Sequence, residues 1–154
     1  MKAKNLLFIM ISLIAVTTGC KSTEIDTNLG KGSMTFDGKT YTLNHLAMAT
    51  THTSDNLYTH NAIIREKGNQ NIVFSFSVKD DNARNEINVG SYNTTIHGDY
   101  TARFSTSTEG DSLEGVLKVS ASKDEYTFSF EGTTVDETTP SKTVVVTYTG
   151  KISN

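Results

Sequence analysis

The chain has 154 residues, 36% hydrophobic and 20% charged, with one Pro, one Cys and no Trp, a length suited to a single domain. Its 24 Thr and 15 Ser exclude a membrane-embedded helical bundle, and its 13 Phe and Tyr exclude a disordered chain. A net charge of −3 gives no footprint for nucleic acid, and a lone Cys excludes both a disulfide framework and a Cys-rich metal site.

In chain order, the first element is an address. Lys2 and Lys4 give a basic start, Leu6 to Val16 is almost unbroken apolar sequence, and small residues run through Thr17, Thr18 and Gly19 to Cys20. Charge, apolar core and small-residue cleavage site are the three parts of a secretory signal. The apolar run is shorter than the roughly 20 residues that span a bilayer. Gly19-Cys20 at its end resembles the lipobox of bacterial lipoproteins, with Thr17 where Leu is usual. The resemblance implies cleavage before Cys20, a diacylated Cys20 sulfur, and anchoring to the membrane by lipid alone. The chain from Cys20 onward keeps 12 basic and 17 acidic side chains, so an anionic bilayer would repel the domain itself.

Residues 20–31 follow as an expected flexible tether, since Lys21 to Lys31 is polar and has only two scattered apolar residues. The folded domain is expected over 32–154. There the period is two. Ile72, Phe74, Phe76 and Val78 alternate with polar or exposed-face positions, as do Tyr100, Ala102 and Phe104, and Tyr126, Phe128 and Phe130. Such alternation, with β-branched and aromatic enrichment, marks half-buried antiparallel strands. Turn residues punctuate the runs at Asp37-Gly38, Lys67-Gly68-Asn69, His97-Gly98-Asp99 and Ser122-Lys123-Asp124. A longer polar stretch, Gly132 to Ser141, leads into a final strand over 142–152. The expected fold is all-β, an antiparallel β-sandwich or flattened up-and-down barrel of eight or nine strands. The strand-poor stretch 80–96 tips the balance toward a sandwich crossover. The expected core is Phe36, Tyr41, Leu43, Ile64, Phe74, Phe76, Val78, Tyr100, Phe104, Leu117, Val119, Tyr126, Phe128, Phe130, Val144, Val146 and Tyr148.

The signal, the Cys20-Lys21-Ser22 start and the all-β body together resemble small lipoproteins of Bacteroidetes-type bacteria. In the body the resemblance rests on residues 32–41, 115–119, 126–130 and 148–152. It implies the cell envelope, as an outer-membrane lipoprotein, and transfers no functional residue. Asp111-Ser112-Leu113 resembles the short O-glycosylation motif of those organisms, which makes Ser112 a candidate modification site.

Candidate chemistry is sparse. His52, Asp55, Tyr58 and His60 cluster within nine residues and read as a binding loop, with Tyr58 offering a large amphipathic contact. Imidazole and carboxylate can ligate zinc or copper, but the spacing matches no closed structural site, so no metal is assigned. The oxygen-rich run from Asp80 to Glu86 lacks the spacing of a calcium loop. Motifs for nucleophile elbows, zinc proteases, phosphate loops and redox Cys pairs are absent, and Glu109 with Asp111 is an unremarkable acid pair. The expectation is therefore a non-enzymatic anchored module without cofactor. Its partners would be the membrane, through Cys20, and an unidentified protein, glycan or small ligand. Alternatives are a lipocalin-like carrier of a small apolar ligand and an envelope inhibitor or immunity protein. Contacts are expected on loops, at residues 52–60 and 132–141.

Overall fold

The computed structural model describes residues 29–54, 56–84, 86–123, 125–136 and 140–151. They form nine strands and no helix: β1 (Leu29–Phe36), β2 (Lys39–Ser54), β3 (Leu57–Glu66), β4 (Asn69–Asp80), β5 (Gly90–Thr94), β6 (Tyr100–Ser105), β7 (Gly110–Ser122), β8 (Glu125–Thr134) and β9 (Thr143–Lys151). Eight of them close on themselves in the order β1-β2-β3-β4-β6-β7-β8-β9, every neighbour antiparallel, with β9 paired back to β1. The fold is a closed barrel, and the sandwich alternative falls away because no sheet edge is left between β1 and β9.

The ninth strand explains the misleading stretch at 80–96. β5 pairs with residues 115–119 of β7, beyond the 110–113 segment that β6 uses. Since β8 covers the other edge of β7, β5 continues the line of β6 along one edge. Residues 95–99 loop out between them, closed by the Thr95 N–H donating to the Tyr100 carbonyl at 3.0 Å. The remaining described residues here, 81–84 and 86–89, have no regular structure and lie at one end of the barrel.

Sequence dictates the hairpins. Asp37 and Gly38 both take positive φ, 48° and 74°, the geometry of a two-residue turn whose twist matches its strands. β1 begins at Leu29 rather than at Gly32, so residues 29–31 belong to the barrel and not to the expected tether. An extra residue in β1 between Leu29 and Gly32 bends the register against β2. Around it, Leu43, His45 and Leu46 are all buried, and strict alternation breaks there.

Inward positions make one continuous core. Phe36, Leu43, Ile64, Phe74, Phe76, Phe104, Leu117, Phe128, Phe130, Val144, Val146 and Tyr148 are buried as expected, while Tyr41, Tyr100 and Tyr126 pack against the core half-buried. Val78 and Val119 are buried as expected too, and Met34, Leu46, Ala62, Ile72, Ile87, Tyr92, Ala102 and Leu113 complete it. The rings reach across. Phe74 on β4 lies 5.3 Å from Phe130 on β8, and Phe76 lies 5.2 Å from Phe128, centroid to centroid. β4 and β8 are not neighbours in the sheet, so these contacts fill the middle of the barrel. Space for Phe130 comes from Gly115 and Gly132, which face each other on β7 and β8. A Cβ on either would sit within 3 Å of the Phe130 ring.

Candidate functional site

The barrel interior turns polar toward the end where the β2–β3 hairpin stands. Period two decides which side chains gather there. On β2 and β3 the inward partners run Leu46 with Ile64, Met48 with Ala62, Thr50 with His60, then His52 with Tyr58. On β4 the inward series Phe74, Phe76, Val78 ends in Asp80, which pairs with Tyr58 and so lies diagonal to His60. Register thus brings Thr50, His60 and Asp80 together although 30 residues of sequence separate the outer two.

They form a hydrogen-bonded chain. Thr50 Oγ1 lies 2.8 Å from His60 Nδ1, and His60 Nε2 lies 2.8 Å from Asp80 Oδ1. His60 has no exposed surface, and the Asp80 side chain is 10% exposed. Asp80 Oδ1 also accepts the Asn82 N–H at 2.8 Å, and Oδ2 accepts the Asn88 N–H at 3.3 Å. Both Asp80 oxygens accept backbone N–H groups, so the hydrogen shared between Asp80 and His60 is assigned to Nε2 of the ring. Removal from water of such a group is compensated only because each oxygen has partners.

The same carboxylate fastens Asn82 and Asn88 over the barrel mouth. Asn88 Nδ2 reaches Asp81 Oδ1 at 3.4 Å, the Tyr92 hydroxyl donates to the Asn88 carbonyl, and Ile87 inserts into the core. On the near side the Arg84 carbonyl lies 3.4 Å from Thr50 Oγ1. Burial pushes the Tyr92 phenol above its ordinary range, and the charge of Asp80 and then Tyr100 add to it. Burial also raises Tyr126, with the charge of Glu86 adding to the effect.

Beside these residues is an open depression of about 420 Å³ lined by Met48, Ala49, Thr50, His52, Tyr58 and Ala83. The His52 and Tyr58 rings are tilted at 5.1 Å. The expected binding loop is therefore not a loop. His52 is the rim of β2, Tyr58 and His60 are on β3, and His60 is sealed inside. Sequence spacing put His52 and His60 together, but alternation gives them different depths in the barrel. Asp55 lies outside the described residues, as does Cys20.

The second expected loop is at the other end. β8 runs on to Thr134, so Gly132 to Thr134 are strand, and the return is fastened by the Thr134 N–H donating to the Lys142 carbonyl at 2.9 Å. There Lys142 donates to Glu109 at 2.9 Å, stands 4.0 Å from Asp37, and lies 5.2 Å from the centroid of the Phe36 ring. The hydrogen bond to Glu109 raises the Lys142 ammonium, partial burial opposes this, and the charges of Glu109 and Asp37 add to the rise. Ser112 is on β7, not in a loop, and its hydroxyl accepts from Arg103 Nε at 3.3 Å. Among the described residues, no group of three or more His, Cys, Asp or Glu stands together to hold a metal ion.

The residues that sequence reasoning missed are Thr50 and Asp80 as partners of His60. A signal existed: Asp80 ends an inward-facing alternating series and Thr50 interrupts one, each a polar residue on an otherwise apolar face. Compared with known protein families, curated proteins and solved structures, the chain matches none.

Proposed function

We propose that the protein is a membrane-anchored extracytoplasmic lipoprotein whose barrel is a rigid binding module, taking its partner or small ligand at the mouth beside His52 and Tyr58. The observation that carries this is the pairing of Phe74 with Phe130 and of Phe76 with Phe128 across the barrel. Rings in contact leave the middle of the barrel packed, so recognition falls to the outside and the ends. Of the two ends, the mouth offers an aromatic rim above an open depression, a surface suited to contact at low entropic cost. Closure of eight strands also fits a lipocalin-like carrier, and that second reading requires the phenylalanine cluster to part around a ligand.

The anchor and the mouth are tested together in cells. A radiolabelled fatty acid should enter the protein and be lost in Cys20→Ala; equal label in both would remove the anchor. A photo-crosslinking residue at position 58 should give a discrete adduct, and the same residue at Val145, on the outer wall, should not. Equal adducts at the two positions would remove the mouth.

A further inference from the structure

We propose that the outer wall of the barrel at Arg103 is a binding site for a tetrahedral oxyanion, a phosphate or sulfate group free in solution or carried by a small solute. The site is separate from the mouth and does not rest on it. Period two builds it. Arg103 on β6 stands between the inward-facing Ala102 and Phe104, so it faces outward, and its cross-strand partners are Ser75 on β4 and Ser112 on β7. Two residues further along β6 on the same face, Ser105 pairs with Val73 and with Gly110. Small side chains around one long one leave a dip in the outer wall, an open depression of about 330 Å³.

Hydrogen-bonding capacity in this dip is unspent. Arg103 Nε donates to Ser112 Oγ at 3.3 Å. Among the described residues that is the only hydrogen bond of the guanidinium, and no carboxylate forms an ion pair with it. One N–H of five thus fixes the plane of the fork, and the four on the terminal nitrogens are left for a ligand. Ser112 Oγ accepts from Arg103, so its own hydrogen is available, and the Ser75 hydroxyl has no partner among the described residues. Ser105 supplies no donor, because its hydroxyl donates to the Thr106 carbonyl at 3.3 Å. Asp111 also borders the dip, but it pairs with inward-facing Phe104, and its Oδ1 accepts the Ser112 N–H at 2.6 Å. The chemistry selects the ligand. A carboxylate has two oxygens, which the fork alone would occupy. A tetrahedral oxyanion has a further oxygen for the hydroxyls that flank the fork, Ser75 on one side and Ser112 on the other. With a net charge of −3 the chain has no general attraction for anions, so binding would depend on this one local arrangement. No ion pair has to break to admit the ligand.

The test is an NMR titration of the full chain with inorganic phosphate, inorganic sulfate, glycerol 3-phosphate and acetate at constant ionic strength. It follows the Arg103 Nε–H signal and the backbone amides of Ser75 and Ser112. The three tetrahedral anions should shift these signals saturably, and acetate should bind about tenfold more weakly. Arg103→Gln should abolish saturation at the two serine amides. Arg103→Lys should not restore it, because an ammonium keeps the charge and loses the fork. Ser75→Ala should weaken binding by about tenfold. These positions face outward, and an unchanged amide spectrum elsewhere in the barrel shows that each variant is folded. Acetate binding as tightly as phosphate would overturn the proposal, as would full binding in Arg103→Lys, serine shifts unchanged in Arg103→Gln, or drift without saturation for every anion. Saturation by glycerol 3-phosphate at lower concentration than by free phosphate supports the site with an esterified phosphate as its source, and the reverse order supports it with the free ion. The position-58 adduct should be the same in Arg103→Gln, so failure of either site leaves the other standing.

Discussion

Phe128 and Thr127 are neighbours on β8 and face opposite sides of one wall. Phe128 is fully buried against Phe76 and Tyr148, whereas Thr127 lies on the outer side and shares a 2.9 Å hydroxyl contact with Thr149 of β9. Phe128→Ala should lower stability by about 3–5 kcal/mol, from lost transfer energy and the cavity left behind. Thr127→Ala should cost under about 1 kcal/mol. Denaturant midpoints of the two variants check this, and similar midpoints would reverse the assigned face. The tyrosines give a pH dependence. Burial raises Tyr148, offset in part by a hydrogen bond with the Gly30 backbone, and burial raises Tyr92 too. A phenol raised in the folded state stabilises the fold fully below its unfolded pKa, about 10, and that contribution is lost as pH rises through the folded value. Alkaline titration should therefore show tyrosine absorbance rising together with loss of structure. Tyr148→Phe should weaken that coupling, and phenolate absorbance that develops fully while the fold persists would contradict it.

At the scale of elements, one carboxylate, Asp80, takes the backbone N–H groups of both Asn82 and Asn88. Asp80→Asn replaces an acceptor-only group by one that must present a donor to His60, Asn82 or Asn88. Breaking such a buried arrangement from one side costs about 3–5 kcal/mol. Hydrogen exchange should speed first at the Asn82 and Asn88 amides, ahead of the β4 and β6 amides, and uniform acceleration across the barrel would mean that these two residues are not fastened separately. Legibility in the sequence divides along the same line. Strands β1 to β4 and β6 to β9 are written in alternation and in Asp37-Gly38 or Lys67-Gly68 turns, because one buried face leaves a period that local sequence displays. β5 is short and Tyr92 and Thr94 are its only buried positions, so its period is too brief to read. Leu46 was hidden by the irregularity opposite β1, which breaks the alternation between Leu43 and Leu46. The Thr50–His60–Asp80 chain depends on the register of three strands, and no spacing along the chain encodes which residue of β2 faces which of β3.

For the whole molecule, barrel closure resolves the sequence alternatives. Sandwich and barrel share strand number, alternation and turn chemistry. They differ only in whether the first and last strands meet. In this chain they do, over Lys31 to Phe36 against Val144 to Thr149. That seam is non-local, so its formation should come late in folding, after the hairpins β1–β2, β3–β4 and β7–β8. The test is kinetic: Val146→Ala, in the seam, should mainly speed unfolding, while Leu117→Ala, in the β7–β8 hairpin, should also slow refolding. Slowed refolding in the seam variant alone would reverse the order.

The position of Leu29 has a directional consequence. β1 runs from the mouth side toward the Asp37-Gly38 turn, with Leu29 opposite His45, part-way along β2. Eight residues, 21–28, separate Leu29 from Cys20, and even fully stretched they reach no more than about 30 Å. A lipid on Cys20 would hold the mouth side of the barrel nearer the bilayer than the Lys142 end. Whatever reaches the mouth would then arrive along the bilayer or through the thin layer of solvent beneath the barrel, rather than from the open compartment.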